Sequence, residues 1–223
     1  MQLFIYDIPI LITTFEKRPD ISAANLIDAK WQTLRYHDFE GHIILITTKA
    51  EQAKEIVIAI AKREIKDLQS LVILVENIKA VKERLKTYFA FIKAAGGVVT
   101  HQEKMLLIYR KKKWDLPKGK VDKGEEVAQA ALREIKEECN VTAQIVQKIA
   151  TTWHNYQQGK AHVLKKTVWY WMTTNNAASL KPQLEEDIEE VVFLPKREVN
   201  EKMKGTYNSI RYVVEAFEKV QKP

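Results

Sequence analysis

The stretch GEEVAQAALREIKEECN, residues 124–140, carries apolar residues at helical spacing on one side and acids at helical spacing on the other. Ala128, Ala131, Leu132, Ile135 and Cys139 make the apolar stripe, so the segment from about Glu125 to Cys139 is predicted to pack as an amphipathic helix on a sheet. Glu134, Glu137 and Glu138 stand at i, i+3 and i+4, which places three carboxylates on one side of about one and a half turns. Like charges so spaced each destabilise a helix by a few tenths of a kcal/mol. They also lie away from the helix N-terminus, where the dipole would favour anions. A compensating cation is therefore expected nearby, with the glutamates facing outward into a cleft. Hard divalent cations such as Mg²⁺ take oxygen ligands and are commonly shared between a few carboxylates and substrate phosphates.

Immediately before this helix the chain is basic. Between Arg110 and Lys123 stand seven Lys or Arg against two Asp, a surplus of five positive charges in fourteen residues. A basic loop beside an acidic helix supplies the two halves of a phosphate site, and the formal charge of +7 for the whole chain calls for an anionic partner. On the far side of the loop, FAFIKAAGGVV (89–99) reads as a strand with a glycine pair, and KMLLIY (104–109) pairs with it across the polar turn 101–103. After the helix, residues 143–153, 164–173 and 188–194 read as strands. Residues 206–220 read as a closing amphipathic helix with Ile210, Val213, Val214 and Phe217 inward.

Residues 1–87 read as a separate small α/β domain, and 88–223 as a second domain. Within the first, HIILIT (42–47), a helical pattern over 49–66 and LVILV (71–75) form a βαβ unit with an expected right-handed crossover. Asn77 is placed to cap a short helix with Ile78, Val81 and Leu85 inward. The opening MQLFIYDIPILITTF reads as one strand, not a signal segment, because it lacks a basic leader and contains Asp7 and Pro9. No catalytic constellation stands out in 1–87, so a structural or dimerising role, including a homodimer through this domain, is the expectation. The 46% hydrophobic content of the 223 residues excludes a disordered chain. The single cysteine, Cys139, excludes a disulfide framework, and together with the lack of a run of ~20 apolar residues it implies a cytoplasmic protein with no membrane span.

Read together with its upstream glycine, the helix segment is more specific. Gly119, five residues, Glu125, seven residues and then REIKEECNV (133–141) resembles the Nudix box, whose pattern is a glycine, five residues, Glu, seven residues, and Arg-Glu-aliphatic-any-Glu-Glu-any-Gly-aliphatic. Eight of the nine specified positions match without a gap. The departure is Asn140, where the family has glycine. That residue ends the helix in a left-handed conformation, which asparagine tolerates best among non-glycine residues, so the chemistry is expected to survive. WDLPKGK (114–120), KTVWYW (166–171) and IEEVVFLP (188–195) are similar to the branch of the family that handles nucleoside polyphosphates, including dinucleoside tetraphosphates and oxidised nucleoside triphosphates. The resemblance implies an α/β/α sandwich with a mixed sheet over residues 88–223, preceded by the small α/β domain.

The resemblance also implies roles. Glu134, Glu137 and Glu138, with the backbone carbonyl of Gly119, would bind Mg²⁺ (or Mn²⁺), while Arg133 and Glu125 would form an internal ion pair supporting the loop. The base would be Glu137, Glu138 or a metal-bound water, with Glu186 as a further acid from the loop 185–187. Lys118, Lys120 and Arg110 are expected phosphate contacts, and Tyr207 with Arg211 resembles a substrate-contacting pair. Lys111 to Lys113 are read as a hairpin tip, Trp114, Trp153, Trp169, Tyr170 and Trp171 as core on one strand face and edge on the other, with a base-stacking platform as the alternative, and His154 and His162 as outside any metal set. The implied reaction is attack of water at phosphorus in a nucleoside polyphosphate. Two other classes stay open: a nucleotide-metabolite sensor that binds without turnover, and a nucleic-acid binder, which the localisation of the basic charge beside the acidic helix disfavours.

Overall fold

The computed structural model describes residues 1–19, 24–31 and 33–221. It divides into two compact units, Met1–Phe91 with Trp153–Lys165, and Ile92–Thr152 with Lys166–Pro223. Both are mixed α/β.

The first unit opens with a hairpin of β1 (Gln2–Ile5) and β2 (Ile8–Thr13), where a single strand was expected. The reversal falls at Tyr6 and Asp7, both at positive φ (49° and 69°), the geometry a two-residue turn between twisted strands requires. Asp7 tolerates that conformation, and Pro9 sits in the returning strand, opposite Phe4. After β3 (Asn25–Asp28), the βαβ unit is β4 (Gly41–Ile46), α1 (Ala50–Ala61) and β5 (Leu68–Leu74). Its strands lie side by side in parallel, Ile43 opposite Leu71, with β2 parallel to β5 on the other side and β3 parallel to β4. These strands are continuous apolar runs because α1 covers one face: Ile56 and Ile60 pack with Ile43, Leu45 and Ile73. The helix stops at Ala61, five residues short of the expected end. Asn77 caps α2 (Ile78–Leu85) by accepting the Ala80 N–H at 3.0 Å, as its position predicts.

The second unit begins with β6 (Ala90–His101) and β7 (Lys104–Arg110), joined at Gln102 and Glu103, both at positive φ. The basic segment is more ordered than a loop. It folds into β8 (Lys113–Asp115) against β7 and β9 (Lys118–Lys120) against β6, with the reversal at Lys111 and Lys112. Then follow α3 (Val127–Cys139), β10 (Gln144–Gln158), β11 (Ala161–Thr173), β12 (Ile188–Pro195), α4 (Lys196–Met203) and α5 (Asn208–Gln221). The β10–β11 hairpin tip, Trp153–Lys165, belongs to the first unit. The helix α4 had no counterpart in the sequence reading, and its mostly polar KREVNEKM explains why: only Val199 and Met203 are buried.

The strand order in this unit is β12-β7-β6-β11-β10. Alternate residues serve opposite faces. Val99, Leu106 and Ile108 pack with Ala131, Ile135 and Cys139 of α3. Val98, Leu107 and Trp169 pack with Ile210, Val213 and Phe217 of α5. The result is an α/β/α sandwich. Trp153 and Trp169 are core, the latter donating to Thr152 Oγ1 at 2.8 Å. Trp171 donates to Thr100 Oγ1 at 3.0 Å. His162 stacks on Tyr88, ring centroids 4.8 Å apart. Among the described residues no helix is long and apolar enough to cross a membrane.

Candidate active site

The site is built where α3 lies against β9. Ala130, Ala131, Ile135 and Cys139 bury one side of the helix, and Ala128 is only half-buried, so the apolar stripe is rotated by part of a turn from the expected one. That rotation carries Glu138 into the protein with 1% exposure. The expectation of three outward-facing glutamates is therefore corrected: Glu138 is buried, Glu134 is largely covered, and only Glu137 is open.

Each acid has a defined holder. The backbone N–H of Lys118 donates to Glu138 Oε2 at 2.8 Å, and Arg110 Nη1 lies 3.5 Å from Oε1. Burial is the main influence on this carboxyl and pushes it up to about 7, against the pull of Lys118 and Arg110. Glu134 is likewise raised by burial, although Arg133 donates to it at 2.9 Å. Its carboxylate fills the space beside Gly119: a Cβ built on that glycine would lie 2.1 Å from Glu134 Oε2. Gly119 is thus required for close approach of strand and carboxylate. Gly96, on the neighbouring strand, is required for a similar reason, since its Cβ would lie 2.4 Å from the Pro117 carbonyl oxygen.

Arg133 is the cation that the helix's acidic face demanded. Its Nε and Nη2 grip Glu125 at 2.9 Å each, Nη1 reaches Glu134 at 2.9 Å and Glu137 at 2.8 Å, and Nη2 also donates to the Lys120 carbonyl at 2.9 Å. The paired guanidinium holds the Glu125 carboxyl down at about 2, and the same bonds raise the guanidinium further. The expected Arg133–Glu125 pair is present, and it extends to two more acids and ties β9 to the helix.

The other expected residues divide. Arg110 stands between Glu138 and Glu186, its Nη2 3.6 Å from Glu186 Oε2, so the loop acid is brought to the helix acid through this arginine. Lys118 points inward, its ammonium 2.5 Å from Asp115 Oδ2 and 3.0 Å from the Leu116 carbonyl, a buried pairing that occupies it. Lys120 is exposed at the rim. Tyr207 lies under the Lys113 ammonium, 4.5 Å from the ring centroid, and Arg211 donates to Asn208. Asp115 is the residue that sequence reasoning passed over. Its one signal was an acid inside the alternating strand WDL.

Asn140 ends α3 in the left-handed conformation, φ 57° and ψ 32°. Its side chain accepts from Lys136 Nζ and donates to the Ser179 carbonyl, both at 2.8 Å.

Among the described residues no three acidic, histidine or cysteine side chains already converge on one point. The donors that do gather are all hard oxygens: two covered carboxylates, a third at the rim, and a strand backbone that comes within contact distance only because residue 119 is glycine. That chemistry suits a hard divalent cation.

Fold and site together define the class of domain, an α/β/α sandwich presenting an acidic helix to a basic β turn. Residues 90–217 match the NUDIX domain, more than half of the chain, and the chain belongs to that family. An 8-oxo-(d)GTP phosphatase of Mycolicibacterium smegmatis is 33% identical over 104 residues, 45% of this chain and 30% of that protein. An RNA pyrophosphohydrolase of Brucella ovis is 49% identical over 43 residues, 19% of this chain and 24% of that protein. The matches thus span less than a third of these relatives. A C. elegans Ap4A hydrolase structure is similar at 23% identity and a TM-score of 0.47, covering 58% of this chain and 97% of that one.

Proposed function

We propose that the protein is a Mg²⁺-dependent pyrophosphohydrolase that splits a diphosphate linkage in a nucleoside polyphosphate. The observation that carries the reading is the meeting of Glu134 and Glu138 on the Lys118–Gly119 strand, with Arg133 locking that strand to the helix. Glu134, Glu137, Glu138 and the Gly119 carbonyl would hold the ion. Bound there, it would neutralise phosphoryl charge and lower the pKa of water.

The chain's own residues do the rest. Glu137 or Glu138 accepts the proton of the attacking water, with Glu186 held nearby by Arg110 as a further acceptor. Arg110 and Lys120 face the phosphoryl oxygens, whose charge spreads in the transition state, so fixed cations stabilise that state. Lys118 serves through its N–H to Glu138, and its ammonium neutralises Asp115 below the site. Tyr207 and Arg211 flank the approach to the nucleoside. Residues 88–223 carry the activity, and 1–87 act as a structural or dimerising domain in the cytoplasm.

The test is a Mg²⁺-containing screen of the full chain against nucleoside triphosphates, oxidised nucleoside triphosphates and dinucleoside polyphosphates, with product identification. The expected products are two phosphorylated species per turnover. Absence of cleavage across that panel, with either Mg²⁺ or Mn²⁺, sinks the proposal.

A further inference from the structure

Asp115 and Lys118 bracket a corner in which the chain changes partner strands. β8 lies on β7 with Asp115 opposite Ile108, and β9 lies on β6 with Lys118 opposite Gly96, so Leu116 and Pro117 alone carry the chain from one to the other. Pro117 has no N–H for a ladder bond, and its carbonyl accepts from the Gly97 N–H at 3.2 Å. Leu116 is fully buried, so its backbone polar groups must find partners inside the protein. Both find them on the bracketing pair. The Leu116 N–H donates to Asp115 Oδ1 at 2.7 Å, and its carbonyl accepts from Lys118 Nζ at 3.0 Å. The second oxygen of Asp115 takes the same ammonium at 2.5 Å, which closes the corner.

The pair is covered: Asp115 is 6% exposed, and the Lys118 side chain lies largely out of water against it. Charges in such a place hold each other, because losing either leaves the other buried and uncompensated. The ammonium is thus engaged beneath the corner, and what Lys118 turns toward α3 is its backbone N–H, 2.8 Å from Glu138 Oε2. One residue on, the Gly119 backbone meets the Glu134 carboxylate. Residues 118 and 119 therefore locate both covered acids of the helix, and the Asp115 carboxylate fixes where that short strand begins.

We propose that Asp115 is a positioning residue for the hydrolytic step: by anchoring Lys118 it sets the N–H on Glu138 and the strand beside Glu134, and it withdraws the Lys118 ammonium from the phosphate. The proposal rests on the hydrolase reading above and adds to it a residue that touches neither substrate nor metal. Asp115 and Lys118 then act as one unit, so their contributions to turnover overlap. A lysine on the substrate phosphate would contribute independently of Asp115 and would support substrate binding as well.

Asp115→Asn keeps an acceptor for the Leu116 N–H at nearly equal volume and removes the charge. Lys118→Met keeps the backbone N–H and the length of the stem and removes the ammonium. The two variants and their double are assayed in Mg²⁺ on the panel substrate that wild type cleaves fastest. Each single variant is expected to lose about 10–100-fold in kcat, the scale of misplacing a reacting group, with KM within about threefold of wild type; the double should lose no more than the worse single. Losses that multiply in the double, or a KM raised about tenfold in Lys118→Met with kcat held, overturn the proposal. So does an unchanged kcat in both singles with only the thermal midpoint lowered, which would leave the pair a matter of stability alone. Amide hydrogen exchange at Lys118 is the readout apart from turnover: its protection should fall about tenfold or more in Asp115→Asn while the amides of β6 keep theirs. Unchanged protection overturns the proposal too, and this measurement decides it if Lys118→Met fails to fold. If wild type cleaves nothing, the hydrolase reading falls, and the placing of the Lys118 N–H by Asp115 stands or falls on the exchange result alone.

Discussion

Gly119→Ala isolates the close approach on which the site depends. Residue 119 has no left-handed backbone conformation to lose, so the substitution acts through space alone. The new methyl would sit 2.1, 2.2 and 2.3 Å from Oε2, Cδ and Oε1 of Glu134, so the carboxylate must move outward by more than an ångström. It can move, because it ends a side chain with three rotatable bonds, and the stability cost is set near the low end of overpacking, ~1 kcal/mol. The functional cost is larger: displacing a reacting or coordinating group by about 1 Å lowers kcat roughly 100-fold. Steady-state hydrolysis in Mg²⁺ gives kcat, and thermal unfolding followed by circular dichroism gives the stability term. A coupled variant sharpens the reasoning. Glu134→Asp shortens the side chain by one methylene, so in Gly119→Ala/Glu134→Asp the stability losses should be less than additive, while activity stays low. A Gly119→Ala enzyme with kcat within about threefold of wild type would mean that Glu134 need not stand beside this strand, and the assembly of the site from β9 and α3 would be refuted.

Other outcomes follow from single residues. Arg133→Lys retains a charge but cannot grip Glu125 with two nitrogens while reaching Glu134, Glu137 and the Lys120 carbonyl, so kcat should fall by ~10–100-fold with the fold intact by circular dichroism. Glu138→Gln keeps an acceptor for the Lys118 N–H and removes a charge that burial disfavours; hydrolysis should drop roughly 10²–10⁴-fold while the thermal midpoint holds or rises, and a variant with undiminished turnover would exclude Glu138 from the chemistry. Asn77→Ala removes the α2 cap and should lower stability in urea by about 1 kcal/mol without changing hydrolysis, whereas equal loss of both would contradict the assignment of activity to residues 88–223.

The sequence carried what depends on short-range spacing. The acids of α3, their pairing partner Arg133, the Asn77 cap, the βαβ unit of the first half and the left-handed Asn140 are all set within a few residues, where helical and strand periodicity apply directly. What the sequence hid depends on how faces meet. The carboxylate side of α3 reads as solvent-facing because a glutamate is normally exposed, and only the packing of α3 against the rest of the unit puts Glu138 under. Lys118 reads as a phosphate contact from sequence because its burial partner, Asp115, lies on a strand whose pairing with β7 is set by the Lys111–Lys112 reversal. The helix α4 was hidden by polarity, and the Tyr6–Asp7 turn by an apolar run that has no glycine at the reversal.

Electrostatics ties these points together. Clustered glutamates need a cation, and the fold answers with Arg133, but only in part. Arg133 satisfies Glu125 fully, lowering its pKa, and holds Glu137 at the rim, yet burial still dominates at Glu134 and Glu138, whose carboxyls are raised. Replacing either of those two by a well-packed neutral residue is therefore expected to relieve the folded state, whereas replacing Arg133 leaves Glu125, Glu134 and Glu137 facing one another without their shared donor. The arginine secures the framework, and the two covered carboxyls are left beside a backbone strand that only a glycine lets come near. Two covered acids whose ionisation burial opposes, in a protein whose overall charge is +7, have a physical rationale when an additional cation and a polyanion arrive there together.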